Sequence, residues 1–172
     1  MSKNKEQVIE KMELELRLGK RVEGVKCSEV RADEIAGSLK LGGAMVQFCA
    51  EQGGAGLSGP QVGFAKQIIV WSNGKNMFQV GFNPLFYKNG KKIHTVEGCL
   101  SYPNEQYYIS RWKYVIAVYE VPNKEKDGFV KITRKIRDEE AIVFQHEVDH
   151  INGETIATRG RLIEKKDDEV AI

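Results

Sequence analysis

Apolar positions in the chain follow helical spacing at its two ends and strand-like alternation through its middle. Between about Asp33 and Gln52, Ile35, Leu39, Val46 and Ala50 are spaced to share one helical face, with Gly42-Gly43 weakening the centre and Gly53-Gly54 supplying a stop. A polar stretch over residues 3–18 predicts a short helix ending at Gly19, an appendage to the rest. A last helix starts near Asp138, where Asp138, Glu139 and Glu140 suit the positive end of the helix dipole, and stops before Gly153. Between the helices lie the β-like runs QIIVW, MFQVGF, KKIHTV, RWKYVIAVYEV and GFVKITRKI, separated by Asn-Gly, Asn-Pro and Asp-Gly turn signals. Helix, strands, helix is the order of an α+β fold, with largely antiparallel sheets packed around one buried helix. The expected organisation is a polar extension over residues 1–26 and a single domain over 27–172.

Composition narrows the class. A chain of 172 residues with 41% hydrophobic and 29% charged residues makes one globular domain rather than a disordered or membrane protein. A net charge of +2, without a basic stripe interleaved with aromatics, argues against nucleic-acid binding. No apolar run approaches the roughly 20 residues that span a bilayer. The opening MSKNKEQVIEKMELELRLGKR lacks the apolar core of a signal peptide. Three cysteines, an odd number without framework spacing, fit a reducing compartment. The expectation is a cytoplasmic protein with no membrane partner.

Chemistry concentrates in Gln145-His146-Glu147-Val148-Asp149-His150. Histidines four apart on a helix lie on one face and can reach one metal ion, while Glu147 sits beside that ion as a general base would. A catalytic site of this kind has three protein ligands and one open position. The metzincin pattern would put the third histidine at position 156, which is Ile156. Farther along, Glu154, Glu164 and Glu169 in a polar tail are poor candidates, so the third ligand lies upstream. Cys99 and His94 are the options there, because Cys49 reads as a core residue and Cys27 precedes a helix. Cys99, in Glu97-Gly98-Cys99-Leu100-Ser101, completes a known Cys-His-His set. The glycine-rich GGAGLSGPQVG contains GxGxxG spacing, but it follows a helix and leads into a strand, the reverse of a dinucleotide-binding unit. It reads instead as a loop where backbone approaches substrate, with Gln61 offering an amide.

Taken together, Gly54-Ala55-Gly56-Leu57-Ser58-Gly59-Pro60-Gln61, Glu97 to Ser101 and Gln145 to His150 resemble the three signature motifs of the peptide deformylases, in the family's order. The resemblance spans roughly Gln47 to Thr155. Two departures stand out: Ser58-Gly59 replaces the family's Ala-Ala pair, and the chain leaves little room for a C-terminal helix after the metal helix. The resemblance implies a hydrolase that removes the formyl group from N-formylmethionyl nascent peptides, met near the ribosome exit. Cys99, His146 and His150 would hold one divalent ion, Fe²⁺ by analogy, with Zn²⁺ or Ni²⁺ able to occupy the site. Glu147 would move the proton, while Gln61 and the Leu100 N–H would stabilise the oxyanion. Ala55, Gly56, Ile142 and Val143 would contact the substrate, the apolar ones around its methionine side chain. Glu97 would brace the glycine loop, and Asp149 with Arg111 would orient the site. The competing readings are an HExxH metallopeptidase and an inactive deformylase-like binding protein; the absent downstream ligand opposes the first, and retention of Glu147 with all three ligands opposes the second.

Overall fold

The structure, a computed structural model, describes residues 13–75 and 77–165. Helix α1 spans Ile35–Glu51, strands β1 to β5 span Gly56–Ser58, Ile68–Ser72, Phe78–Cys99, Tyr102–Pro122 and Phe129–Arg137, α2 spans Asp138–Ile151, α3 spans Ile156–Arg159 and β6 spans Arg161–Lys165. All six strands join one sheet of antiparallel pairs, ordered β1-β2-β3-β4-β5, with β6 added to β4. The α+β class with a buried helix is therefore observed.

Two expected strands prove to be one. The runs MFQVGF and KKIHTV both lie within β3, and the turn signals between them mark slips in its pairing with β4, at Phe82/Leu85 and Asn89/Lys92. Asn83 (φ 49°) and Gly90 (φ 78°) take the left-handed backbone that such bulges use, so residues that usually turn a chain here bend a continuing strand. A third slip, between Glu97 and Cys99, ends β3 at the tight turn Leu100-Ser101, which hands the chain to β4. The Asn73-Gly74 and Asp127-Gly128 signals do fall between strands.

Helix α2 is buried along most of its length after its first turn. Ala141, Phe144, Val148 and Ile151 pack on Ile69, Trp71, Val115, Ala117, Tyr119 and Ile136 of the sheet. The Trp71 ring stands edge-on to both Tyr119 and Phe144, at 5.0 and 5.1 Å between centroids, and its Nε1–H donates to Glu140. The rest of the helix from Gln145 to His150 is also buried, although it is mostly polar, which demands partners.

Helix α1 closes a second cluster with Leu57, Val62, Ile68, Val70 and Phe82. Its buried face is Ile35, Ser38, Leu41, Gly42, Met45 and Cys49, so the expected stripe through Leu39, Val46 and Ala50 is rotated; Ala50 is exposed. Gly42 explains the rotation, because a Cβ there would lie 2.7 Å from Val80: the glycine that weakens the helix is where it meets the sheet.

The helix expected over residues 3–18 is not formed by residues 13–18, and residues 3–12 lie outside those described. Leu14 and Leu16 instead pack on the α1 cluster, and Val22 is wholly buried, so chain packs closely on the near side of the boundary drawn at residue 26. At the other end Glu164, placed by its sequence in a polar tail, belongs with Lys165 to β6. No described helix is long and apolar enough to cross a membrane.

Candidate active site

Two elements bring the site together. Helix α2 places His146 and His150 one turn apart, their rings 4.8 Å between centroids, and the β3–β4 turn places Cys99 against them. Cys99 Sγ lies 3.4 Å from His150 Nε2, and ligand atoms of all three residues lie within 4.8 Å of one another. Sulfur and nitrogen on one tetrahedral ion lie about 3.5 Å apart, so the spacing suits a shared cation. His94 is exposed on β3, stacked on Tyr108 at 5.0 Å, and takes no part.

Each histidine is oriented from behind. His146 Nδ1 is 2.9 Å from Glu97 Oε2 and His150 Nδ1 is 3.1 Å from the Glu154 carbonyl oxygen; both partners only accept, so both Nδ1 atoms carry a hydrogen and both rings present Nε2 to the site. Burial, reinforced by the neighbouring His146, pushes His150 well below its ordinary pKa. Burial acts the same way on His146, yet hydrogen bonds with Cys99 and Glu97 outweigh it and raise that pKa. The two imidazoles are thus pushed in opposite directions, His150 toward the neutral form and His146 toward the charged one.

Glu97 does not brace the glycine loop. It faces inward from β3, where Arg111 forks onto it with Nε–Oε1 and Nη2–Oε2 both 2.8 Å, and Thr95 Oγ1 donates to Oε1 at 2.7 Å. Burial alone would raise its pKa, but the bonds from Arg111 and His146 hold it well below the carboxylate range. Arg111, 1% exposed, also pairs with Asp149, which binds Arg159 in turn. Sequence reasoning paired Arg111 with Asp149 and missed that the same guanidinium holds Glu97 behind His146.

The glycine loop has its own support. Pro60 starts a short 3₁₀ turn, Gly59–Val62, and Ser58 with Gln61 forms a capping box across it. Gln61 Oε1 accepts from Ser58 N–H at 2.9 Å and from Ser58 Oγ at 2.8 Å, which turns Nε2 toward Ser101 Oγ (3.2 Å) and Cys99 Sγ (3.5 Å). The S-x-x-Q spacing was a legible sign of this role for Ser58; nothing local pointed to Ser101.

Glu147 stands apart from these networks. It is buried, and its Oε2 is the buried side-chain atom without a hydrogen-bond partner among the described residues. Burial raises its pKa to about 7. Gly56 lies against it: a Cβ there would collide with Glu147 Oε1 and lie 2.8 Å from Val143 Cγ1. A cleft of about 490 Å³ opens at this point, lined by Ala55, Gly56, Gln61, Cys99, Leu100, Ile142, Val143, His146 and Glu147 among others. His150 lies behind that lining, fully buried.

The Polypeptide deformylase family profile matches residues 16–166. A peptide deformylase of Microchaete diplosiphon is 38% identical over 120 residues, covering 67% of this chain and 62% of its own length. Peptide deformylase 2 of Clostridium acetobutylicum is 35% identical over 107 residues, covering 59% and 64%. The chain thus spans under two thirds of the length of these two curated relatives. Among solved structures, a peptide deformylase of Synechococcus elongatus in complex with actinonin superposes with a TM-score of 0.73 at 30% identity, covering 86% of this chain and 79% of that one. The enzyme of Thermotoga maritima gives 0.74 at 26%, covering 86% and 97%.

Proposed function

The chain belongs to the polypeptide deformylase family, and from that premise we propose that it hydrolyses the N-formyl group of formylmethionyl peptides, releasing formate and a free α-amino terminus. The observation that carries the reading is the bare Glu147 oxygen beside a Cys-His-His cluster.

The residues fit a divalent ion: a soft cysteine sulfur and two imidazoles turned to present Nε2, with ligand atoms all within 4.8 Å of one another. Bound by Cys99, His146 and His150, such an ion would supply Lewis acidity and bring a water's pKa near neutrality. We take it to be Fe²⁺, with Zn²⁺ or Ni²⁺ as substitutes.

Glu147 accepts the proton of the attacking water and later delivers it to the departing amine. Its pKa of about 7 suits both transfers. Gln61 Nε2, held by Ser58, donates to the oxygen on which charge develops, and the Leu100 N–H joins it. Ala55, Ile142 and Val143 take up the methionine side chain, and Gly56 lets the peptide backbone come close. β1 lies at one end of the strand order, and its Gly56 end lines the cleft where an extended peptide would add. Such a peptide is met in the cytoplasm as it leaves the ribosome.

Metal analysis of anaerobically purified protein, paired with a formate-release assay on formyl-Met-Ala-Ser, tests the reading. One ion per chain with formate release is expected; absence of formate from protein reconstituted separately with Fe²⁺, Zn²⁺ and Ni²⁺ would overturn it.

A further inference from the structure

One short segment touches all three parts of the site. Arg17 N–H donates to the Gln61 carbonyl (2.6 Å), Gly19 N–H to the Ser101 carbonyl (2.7 Å) and Gly24 N–H to the Gly153 carbonyl (2.8 Å). Between the last two contacts Val22 is fully buried and the Glu23 carboxylate accepts from the Tyr102 hydroxyl. The Tyr102 oxygen lies 3.3 Å from Thr155 Oγ1.

These contacts fall at informative points. Gln61 and Ser101 are already joined by Gln61 Nε2 donating to Ser101 Oγ, so the first two bonds grip that link from its two backbones. Tyr102 follows the Leu100-Ser101 turn, and Thr155 follows Glu154, whose carbonyl orients His150. Gly153 and Gly24 touch so closely that a Cβ on Gly153 would sit 3.0 Å from Gly24 Cα. We propose that Arg17–Gly24 is a clasp that sets the spacing of Gln61, Leu100 and His150, with Glu23 a positioning residue acting through Tyr102. The glycine loop and the β3–β4 turn are separate in the chain, and donors to a developing charge lose their effect when displaced by a fraction of an ångström. Only the kinetic part of this inference rests on the deformylase reading.

The test uses the full chain with Glu23→Ala, Glu23→Gln and Arg17→Pro. Glu23→Ala removes the acceptor of the Tyr102 hydroxyl, and Arg17→Pro removes the donor to Gln61. Each is expected to speed amide hydrogen exchange in residues 59–62 and 99–102, to keep metal stoichiometry, and to lower kcat about tenfold with little change in KM. Glu23→Gln keeps an accepting oxygen and restores slow exchange and most of kcat, which loss of bulk stability alone would not explain. Wild-type exchange in both loops of Glu23→Ala, or a loss of kcat that tracks loss of metal, would overturn the clasp. Should Arg17→Pro fail to fold, the two Glu23 variants decide, and exchange decides even where the wild type releases no formate.

Discussion

The two sides of α2 are built by opposite rules. Toward the β3–β4 hairpin, His146 and Asp149 are tied into a network in which Arg111 meets two carboxylates and Glu97 meets Arg111, Thr95 and His146. Toward the cleft, Glu147 is equally buried, yet one of its oxygens finds no hydrogen-bond partner among the described residues and its neighbours are Gly56 and Val143. A buried carboxylate without partners is costly, and the neighbouring network shows that this fold can satisfy such groups. The contrast teaches that the candidate ligands are oriented by saturation, whereas the group proposed to exchange a proton is left bare.

The largest expected effect comes from opening the saturated side at its ligands. Cys99→Ala, His146→Ala or His150→Ala leaves two donors, and metal content and activity should both collapse, measured by elemental analysis and formate release. Full stoichiometric metal in Cys99→Ala would break the assignment. On the bare side, Glu147→Gln keeps volume and metal but lowers turnover by roughly 10²–10⁴-fold, checked by kinetics on metal-matched protein. Together these variants separate holding the ion from moving the proton.

Arg111→Met tests the network itself. It removes the buried cation shared by Glu97 and Asp149, leaving Glu97 with only Thr95 and His146 and Asp149 with only the half-exposed Arg159, and urea unfolding should show a loss of about 3–5 kcal/mol. Gly56→Ala sharpens the cleft side with a smaller change: overpacking against Glu147 and Val143 should cost about 1–3 kcal/mol, read as a lower urea midpoint together with lost activity.

What the sequence disclosed divides along a related line. The α2 boundaries, the strands and the His146-His150 pair follow from signals carried within a few residues of one another, while Cys99 was joined to that pair by elimination of other ligands and by the three motifs together. The turn residues of β3 misled because Asn83 and Gly90 meet the same backbone demand in a bulge as in a turn, and only the partner strand distinguishes them. The face of α1 was misjudged because Gly42 was read for propensity, while its packing against Val80 decides the rotation. The Glu97–Arg111 fork and the bonds of Arg17 and Gly19 to the site loops join residues 14 to 82 positions apart, and no periodicity announces them.

The claim that a bare Glu147 beside the Cys-His-His cluster performs deformylation is tested most directly by mass spectrometry of the products from formyl-Met-Ala-Ser and its acetyl analogue, using metal-loaded protein. The Gly54–Gln61 loop is expected to admit a formyl hydrogen and exclude an acetyl methyl, so the formyl group alone should be lost, with the acetyl peptide turned over far more slowly. Fragments cut at an internal peptide bond, or equal turnover of the two peptides, would contradict it.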